Sequence, residues 1–280
     1  MKIISANMIR DAISGLCVQA NIELRKDVLA SLKRARLAEK SKRARGILGA
    51  VIKNAFIAGR ENLAICQDTG LPVVFAELGV NVRIKGDLKS AIIKGVESGY
   101  KKGGLRNSIV KDPLLRGRPS FRGAVIHLDL VKGNNLKLTV LPKGFGCENK
   151  AQLHMFKPTA GIEQIKEFII SAVKSAGPDA CPPFVIGVGI GGTADYASFL
   201  AKKALLRKIT KPRTYNLEPK TKLEQELLKS INQLNIGPMG LGGRTTALAV
   251  NIETYPTHIA GLPVAVNISC HALRSASRKI

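Results

Sequence analysis

Apolar residues recur every three to four positions through the first sixty residues: Ile9, Ile13, Leu16 and Ala20, then Ile47, Leu48, Val51, Ile52, Ala55 and Phe56. That spacing lays one stripe along a helix, so it predicts a mainly helical N-terminal portion over 1–62. Beyond it the texture changes. "VVFAELGVNVRI" reads as a strand and "LKSAIIKGVESGYKKGG" as a helix stopped by glycines. "AVIHLDLV" and "LKLTVLP" read as a strand pair joined by the turn-forming "KGNN". The helix "GIEQIKEFIISAVKSAG", the apolar strand "FVIGVGI", the helix "ADYASFLAKKALLRK" and the strands "TTALAVNIE" and "LPVAVNIS" follow. Residues 207–222, "RKITKPRTYNLEPKTK", read as a surface loop. No sequence repeat is visible, so the pattern predicts one mixed α+β domain over 1–280.

The core of such a domain must be built mainly from Ile, Val, Leu and Ala, because aromatics are 4% of the chain and Trp is absent. Arg10 and Asp11 interrupt the apolar run that a signal peptide would need, and no segment approaches the roughly 20 apolar residues of a membrane span. The expectation is a cytoplasmic protein without a membrane segment, in which its five cysteines stay reduced.

A formal charge of +24 changes the picture, because basic excess on this scale raises a nucleic-acid reading. The densest stretch, 25–45, holds nine Lys or Arg against Asp27 and Glu39. It also carries Val28, Leu29, Leu32 and Leu37 at helical spacing, and no aromatics for base stacking. A solvated face on an amphipathic helix accounts for it; an acidic protein partner or nucleic acid remain the alternatives.

The candidate chemistry lies in loops. Cys17 falls on the first amphipathic stripe and reads as a buried structural thiol. Cys66, Cys181 and Cys270 instead stand at strand ends, in "CQDTG", "ACPPF" and "ISCHA", 115 and 89 residues apart. Those separations match no finger or ferredoxin spacing, so by themselves they leave a three-thiolate metal site and scattered core cysteines both open. Any one of the glycine turns "GVGIGGTADY", "GPMGLGGRTT" and "PKGFGCENK" is open between anion binding through exposed N–H groups and close backbone packing, and their recurrence in one domain leans towards anion binding.

Longer motifs are more specific. "ICQDTGLPVVF", "KGFGCENKAQLHMFKP", "ACPPFVIGVGIGGTADYASFLAKKALLR" and "IGPMGLGGRTTALAVNIETYPTHIAGLPVAVNISCHA" occur in this order along nearly the whole chain. Together they resemble the alpha subunit of the class I, iron-sulfur fumarate hydratases and tartrate dehydratases. The resemblance implies antiparallel sheets flanked by helices, and a 4Fe-4S cluster held by Cys66, Cys181 and Cys270, with one iron open to substrate. It implies catalytic roles for Asp68 and His258, with a turn-capping Asp68 and a structural His258 as the alternatives, and substrate contacts at Gln67, Arg106 and Gly146. Cys147 lies where relatives often carry serine, which implies a loop residue rather than a fourth ligand. His127, His154 and His271 read as structural. A beta subunit is implied as partner, supplying further arginines, a lysine and a threonine, so that this chain carries half of an active site for a small dicarboxylate. Of the two substrates, the motifs point to fumarate and malate, with L-tartrate as the alternative. A basic binding or structural protein on a retired scaffold is the reading from another class. One departure stands out: after "DPLLRGR" relatives often continue with an Asn-Thr-Gly-Asp-like stretch, where this chain has "PSFRGA", so the resemblance carries no substrate contact over to the 116–123 loop.

Overall fold

The computed structural model describes residues 2–209 and 218–280. The N-terminal part comprises β1 (Lys2–Ser5), α1 (Ala6–Ile22), α2 (Lys26–Ala38) and α3 (Lys42–Glu61). Ser5 caps α1 by accepting the Met8 N–H through its hydroxyl oxygen, and Ile9, Ile13, Leu16 and Ala20 are all buried. The basic stretch forms two helices, because Glu39 breaks it: its buried carboxylate accepts the Lys40, Ser41 and Arg244 N–H groups. Val28 and Leu32 are buried there, whereas Leu37 is exposed, contrary to its place in the stripe.

Then follow β2 (Leu71–Gly79), β3 (Val82–Lys85), α4 (Leu88–Lys102), β4 (Val125–Val131), β5 (Leu136–Lys143), the short α5 (Phe145–Glu148) and β6 (Gln152–Phe156). The last stretch holds α6 (Ile162–Ala176), β7 (Phe184–Gly191), α7 (Ala194–Ala204), α8 (Pro219–Gln233), β8 (Ala247–Tyr255), β9 (Leu262–Ser269) and β10 (Ala276–Lys279). The expected α+β composition holds, with sheets that are mixed rather than purely antiparallel. Of the expected 207–222 loop, residues 210–217 lie outside the described residues, and its last part is helical, since α8 begins at Pro219.

Two compact units emerge, the first from Met1–Arg25, Asn54–Phe145 and Arg274–Ile280, the second from Lys26–Lys53 and Gly146–Leu273. The first unit carries a sheet in the order β10-β5-β2-β4, in which β2 runs parallel to β4 and antiparallel to β5. α1 and α4 cover it through Ile9, Ile13, Leu16, Ile92 and Val96, packed on Val74, Leu138 and Val140. Two readings of the sequence are corrected here. "VVFAELGVNVRI" is two strands, because β3 leaves the sheet to pair with β1. β4 and β5 are not partners either: β2 lies between them. Their connection crosses the end of β2, where Gly79 donates its N–H to Asn135 O and Asn81 donates to Gly133 O. The crossing is possible because Gly79 has no side chain, as a Cβ there would stand 2.5 Å from Gly133 O.

The second unit repeats this layout with different strands. Its sheet runs β6-β9-β7-β8, with β7 parallel to β8 and antiparallel to β9. Residues 256–261 cross the end of β7, where Gly192 donates to Pro256 O. At Gly191 a Cβ would meet Tyr255 O at 2.0 Å. A buried apolar set including Ile169, Val173, Phe184, Ile186, Leu227, Val250, Val266 and Ile268 fills this unit.

Candidate active site

In the first unit the turn "CQDTG" precedes β2, and hydrogen bonds hold it. Asp68 accepts the Gly70 N–H on Oδ1 at 2.9 Å and the Phe145 N–H on Oδ2 at 2.8 Å. Thr69, buried, accepts the Arg106 N–H on Oγ1 at 3.1 Å. The Tyr100 hydroxyl donates to Thr69 O at 2.7 Å, and burial pushes its pKa up, so it stays a donor. Arg274 Nη2 donates to Asp68 O. Gly70 takes φ +73°, a left-handed conformation that fits glycine, and lies against the backbone of Pro142 and Lys143.

The consequence is a half-buried Cys66, an exposed Gln67 and an Asp68 whose carboxylate oxygens each take one backbone N–H. Asp68 therefore caps the turn, and each oxygen keeps lone-pair capacity for a proton. Arg106 joins this group through its backbone, while its guanidinium is exposed and makes no hydrogen bond or ion pair among the described residues. The 116–123 loop is mostly exposed, with Arg116 and Gly117 in left-handed conformations.

In the second unit Cys181 precedes β7 and Cys270 follows β9, which places both at one end of the sheet because those strands are antiparallel. His271 ties them: its backbone N–H donates to Cys181 O at 3.3 Å, and its Nδ1 lies 3.1 Å from the same oxygen. Cys181 itself takes φ +55°, rare for a residue with a side chain. The buried Cys147 thiol donates to Ala180 O at 3.2 Å, directly before Cys181. Gly146 is exposed, and a Cβ on it would meet only Asp179 O, at 3.8 Å.

His258 is exposed in the crossing loop 256–261, and its Nδ1 accepts the Ala260 N–H at 3.2 Å. The neutral ring then carries its proton on Nε2. It stands at the opposite end of β9 from Cys270, and the 8 residues of that strand put about 20 Å or more between them. The structure thus brings Cys66, Gln67, Asp68 and Arg106 together in one unit and Cys181, Cys270 and Cys147 in the other, and sets His258 apart from the latter three. Of the remaining histidines, His127 packs on Phe75, and His154 on Phe156 and Phe168.

The thiols sort by accessibility. Burial raises the Cys17 pKa to about 12, and Cys147 spends its proton on Ala180, whereas Cys66, Cys181 and Cys270 are half-buried at strand ends. Soft thiols in that position suit an iron-sulfur group, and the buried Arg274 suits its negative charge. Among the described residues no three His, Cys, Asp or Glu are grouped to hold a single metal ion. Sequence reasoning missed Tyr100, Thr69 and Arg274 and took His271 as structural only; the one available signal was the adjacency of His271 and Arg274 to the "ISC" motif.

Residues 10–279 match the family described as fumarate hydratase (Fumerase). A protein of Methanocaldococcus jannaschii, provisionally named L(+)-tartrate dehydratase subunit alpha, is 41% identical over 97% of both chains. The L(+)-tartrate dehydratase subunit alpha of Escherichia coli K12 is 29% identical over 96% of this chain and 90% of its own. That of Shigella sonnei is similar to the same degree.

Proposed function

This chain belongs to the fumarate hydratase (Fumerase) family, and on that premise we propose that it is the alpha subunit of an iron-sulfur hydro-lyase whose substrate is L(+)-tartrate. The observation that carries the substrate is the 41% identity, over 97% of the chain, to a relative bearing that subunit name. The motifs alone point to fumarate and malate, which the description of the family favours; the named relatives favour tartrate. The reaction class is common to both. A hydroxyl leaves one carbon and a proton leaves its neighbour; from tartrate the product is an enol that tautomerises to oxaloacetate.

Cys66, Cys181 and Cys270 would hold a 4Fe-4S cluster, which when bound supplies a Lewis-acidic iron for the substrate's hydroxyl and carboxylate. Asp68 takes the proton from the adjacent carbon, held in place by the Gly70 and Phe145 N–H groups. Arg106 presents its guanidinium fork to the remote carboxylate. Gln67 orients the substrate beside Cys66, and Gly146 admits it close to backbone. His258, distant from Cys270 along β9, serves as a proton donor through Nε2 only to a substrate held elsewhere than at the Cys181 end of its own sheet. A beta subunit completes the constellation, so the isolated chain has little or no turnover.

The test is kcat/KM for L-tartrate, malate and fumarate on the pair reconstituted anaerobically with a beta subunit. A site that buries tartrate's second hydroxyl without a partner loses about 1–3 kcal/mol, or roughly one to two orders of magnitude in rate. A tenfold preference for tartrate is expected, and a tenfold preference for malate would overturn the substrate while leaving the hydro-lyase standing.

A further inference from the structure

Arg274 is a charged residue in an apolar position. It is 4% exposed, and among the described residues its single hydrogen bond runs from Nη2 to Asp68 O. Among the described residues Nε and Nη1 are buried without a partner, and no carboxylate pairs with the side chain. Asp68 has turned its carboxylate to the Gly70 and Phe145 N–H groups and offers Arg274 only a carbonyl. Tyr100, close enough to feel the arginine's charge, points its hydroxyl at Thr69 O and Gly70 O. A guanidinium keeps its charge at all physiological pH, and a buried cation with two unpaired donors is among the most unfavourable arrangements a fold can hold. Its contact is also specific: Asp68 stands two residues from Cys66, so their Cα atoms are at most about 7 Å apart.

We propose that Arg274 is the positioning residue and internal counter-cation of the Cys66 turn. Through Asp68 O it fixes the turn, and its Nε and Nη1 meet the net negative charge that appears when thiolates bind an iron-sulfur cluster. This rests on the reading of Cys66 as a ligand. The arginine therefore costs stability in the empty chain and returns it on loading, which an ordinary packing or hydrogen-bonding residue would not do.

The experiment compares wild type, Arg274→Met, Arg274→Lys and Cys66→Ser as full-length chains, before and after anaerobic reconstitution with iron and sulfide. Thermal melting, bound iron and the midpoint potential are measured on each. The expected result is an empty Arg274→Met chain at least as stable as empty wild type, with a smaller gain in Tm on loading, about tenfold weaker iron retention against a chelator and a more negative potential. Arg274→Lys, which keeps charge without the fork, should recover the potential but only part of the retention. The proposal is overturned if empty Arg274→Met melts well below wild type, or does not fold, while Arg274→Lys differs from wild type in neither potential nor retention. Cys66→Ser separates the two readings. Full iron in that variant removes the ligand assignment; lost iron there, with unchanged potentials in the arginine variants, removes only the role of Arg274.

Discussion

Gly70→Ala tests whether the Cys66 turn is braced by the strand behind it. The added Cβ would stand 2.7 Å from Pro142 C, 2.8 Å from Lys143 N and 2.9 Å from Lys143 C. Carbon atoms in contact prefer about 3.5–4.0 Å, so each approach is about 1 Å too close. The obstacle is backbone, and it cannot swing aside: β5 is paired with β2 through Leu71↔Lys143 and Pro72↔Pro142. Overpacking of this kind costs about 1–3 kcal/mol. The left-handed φ of +73° adds about 1–2 kcal/mol for any residue with a Cβ. Gly104 isolates the second cost, because it has φ +59° and nothing within 4 Å of its Cβ position. Gly104→Ala should then lose about 1–2 kcal/mol and Gly70→Ala about 2–5 kcal/mol, at roughly 2–4 °C in Tm per kcal/mol. Since Gly70 N–H also holds Asp68 Oδ1, Gly70→Ala should lose anaerobic iron loading as well, and Gly104→Ala should keep it. Equal Tm losses in the two variants, with equal loading, would refute the bracing argument.

Two further outcomes follow from the thiols outside the proposed ligand set. With its pKa raised to about 12, Cys17 is thiolate in only about one molecule in ten thousand at pH 8, so iodoacetamide should spare it in the native chain while alkylating Cys66; mass spectrometry of peptides reads this. Cys147→Ser keeps a donor for Ala180 O and should bind iron as wild type does, whereas Cys147→Ala should lose about 0.5–1.5 kcal/mol of stability. Iron lost in Cys147→Ser but retained in Cys181→Ser would reverse the ligand assignment.

Local pattern revealed what local forces decide. The stripe of α1, the glycine-stopped α4, the amphipathic α6 and the apolar β7 all stand where periodicity places them. β4 and β5 misled because a tight turn between two strand-like runs is the ordinary mark of a hairpin, whereas their true neighbour β2 is some fifty residues earlier in the chain. α8 was legible in principle, since Leu223, Leu227 and Ile231 recur every four residues, but the Pro- and Lys-rich stretch before it obscured its start. In the site, Cys66, Asp68 and Arg106 could be singled out by motif and the turn cap by Asp68 was open as an alternative, yet nothing local shows that Phe145 joins that cap or that His258 lies far from Cys270. Arg274 was invisible for a different reason. Among 44 Lys and Arg, only tertiary packing tells that Arg274, like Lys143, is buried.

The repeated strand order explains why chemistry collects where it does. In each sheet the central strand, β2 or β7, is flanked by a parallel strand on one side and an antiparallel strand on the other, and the connection between those two crosses the central strand's C-terminal end. That end must be stripped to glycine, Gly79 or Gly191, and is closed by backbone. The opposite end stays open, with the loop entering the central strand lying beside the loop leaving the antiparallel one. There Phe145 N–H reaches Asp68, and His271 N–H reaches Cys181 O. Entering loops carry Cys66 and Cys181, and Cys270 begins a leaving loop, so three thiols separated by 115 and 89 residues occupy equivalent ends of two like sheets. Their spacing in sequence carried no metal signature because strand topology, rather than chain proximity, gives them their common setting.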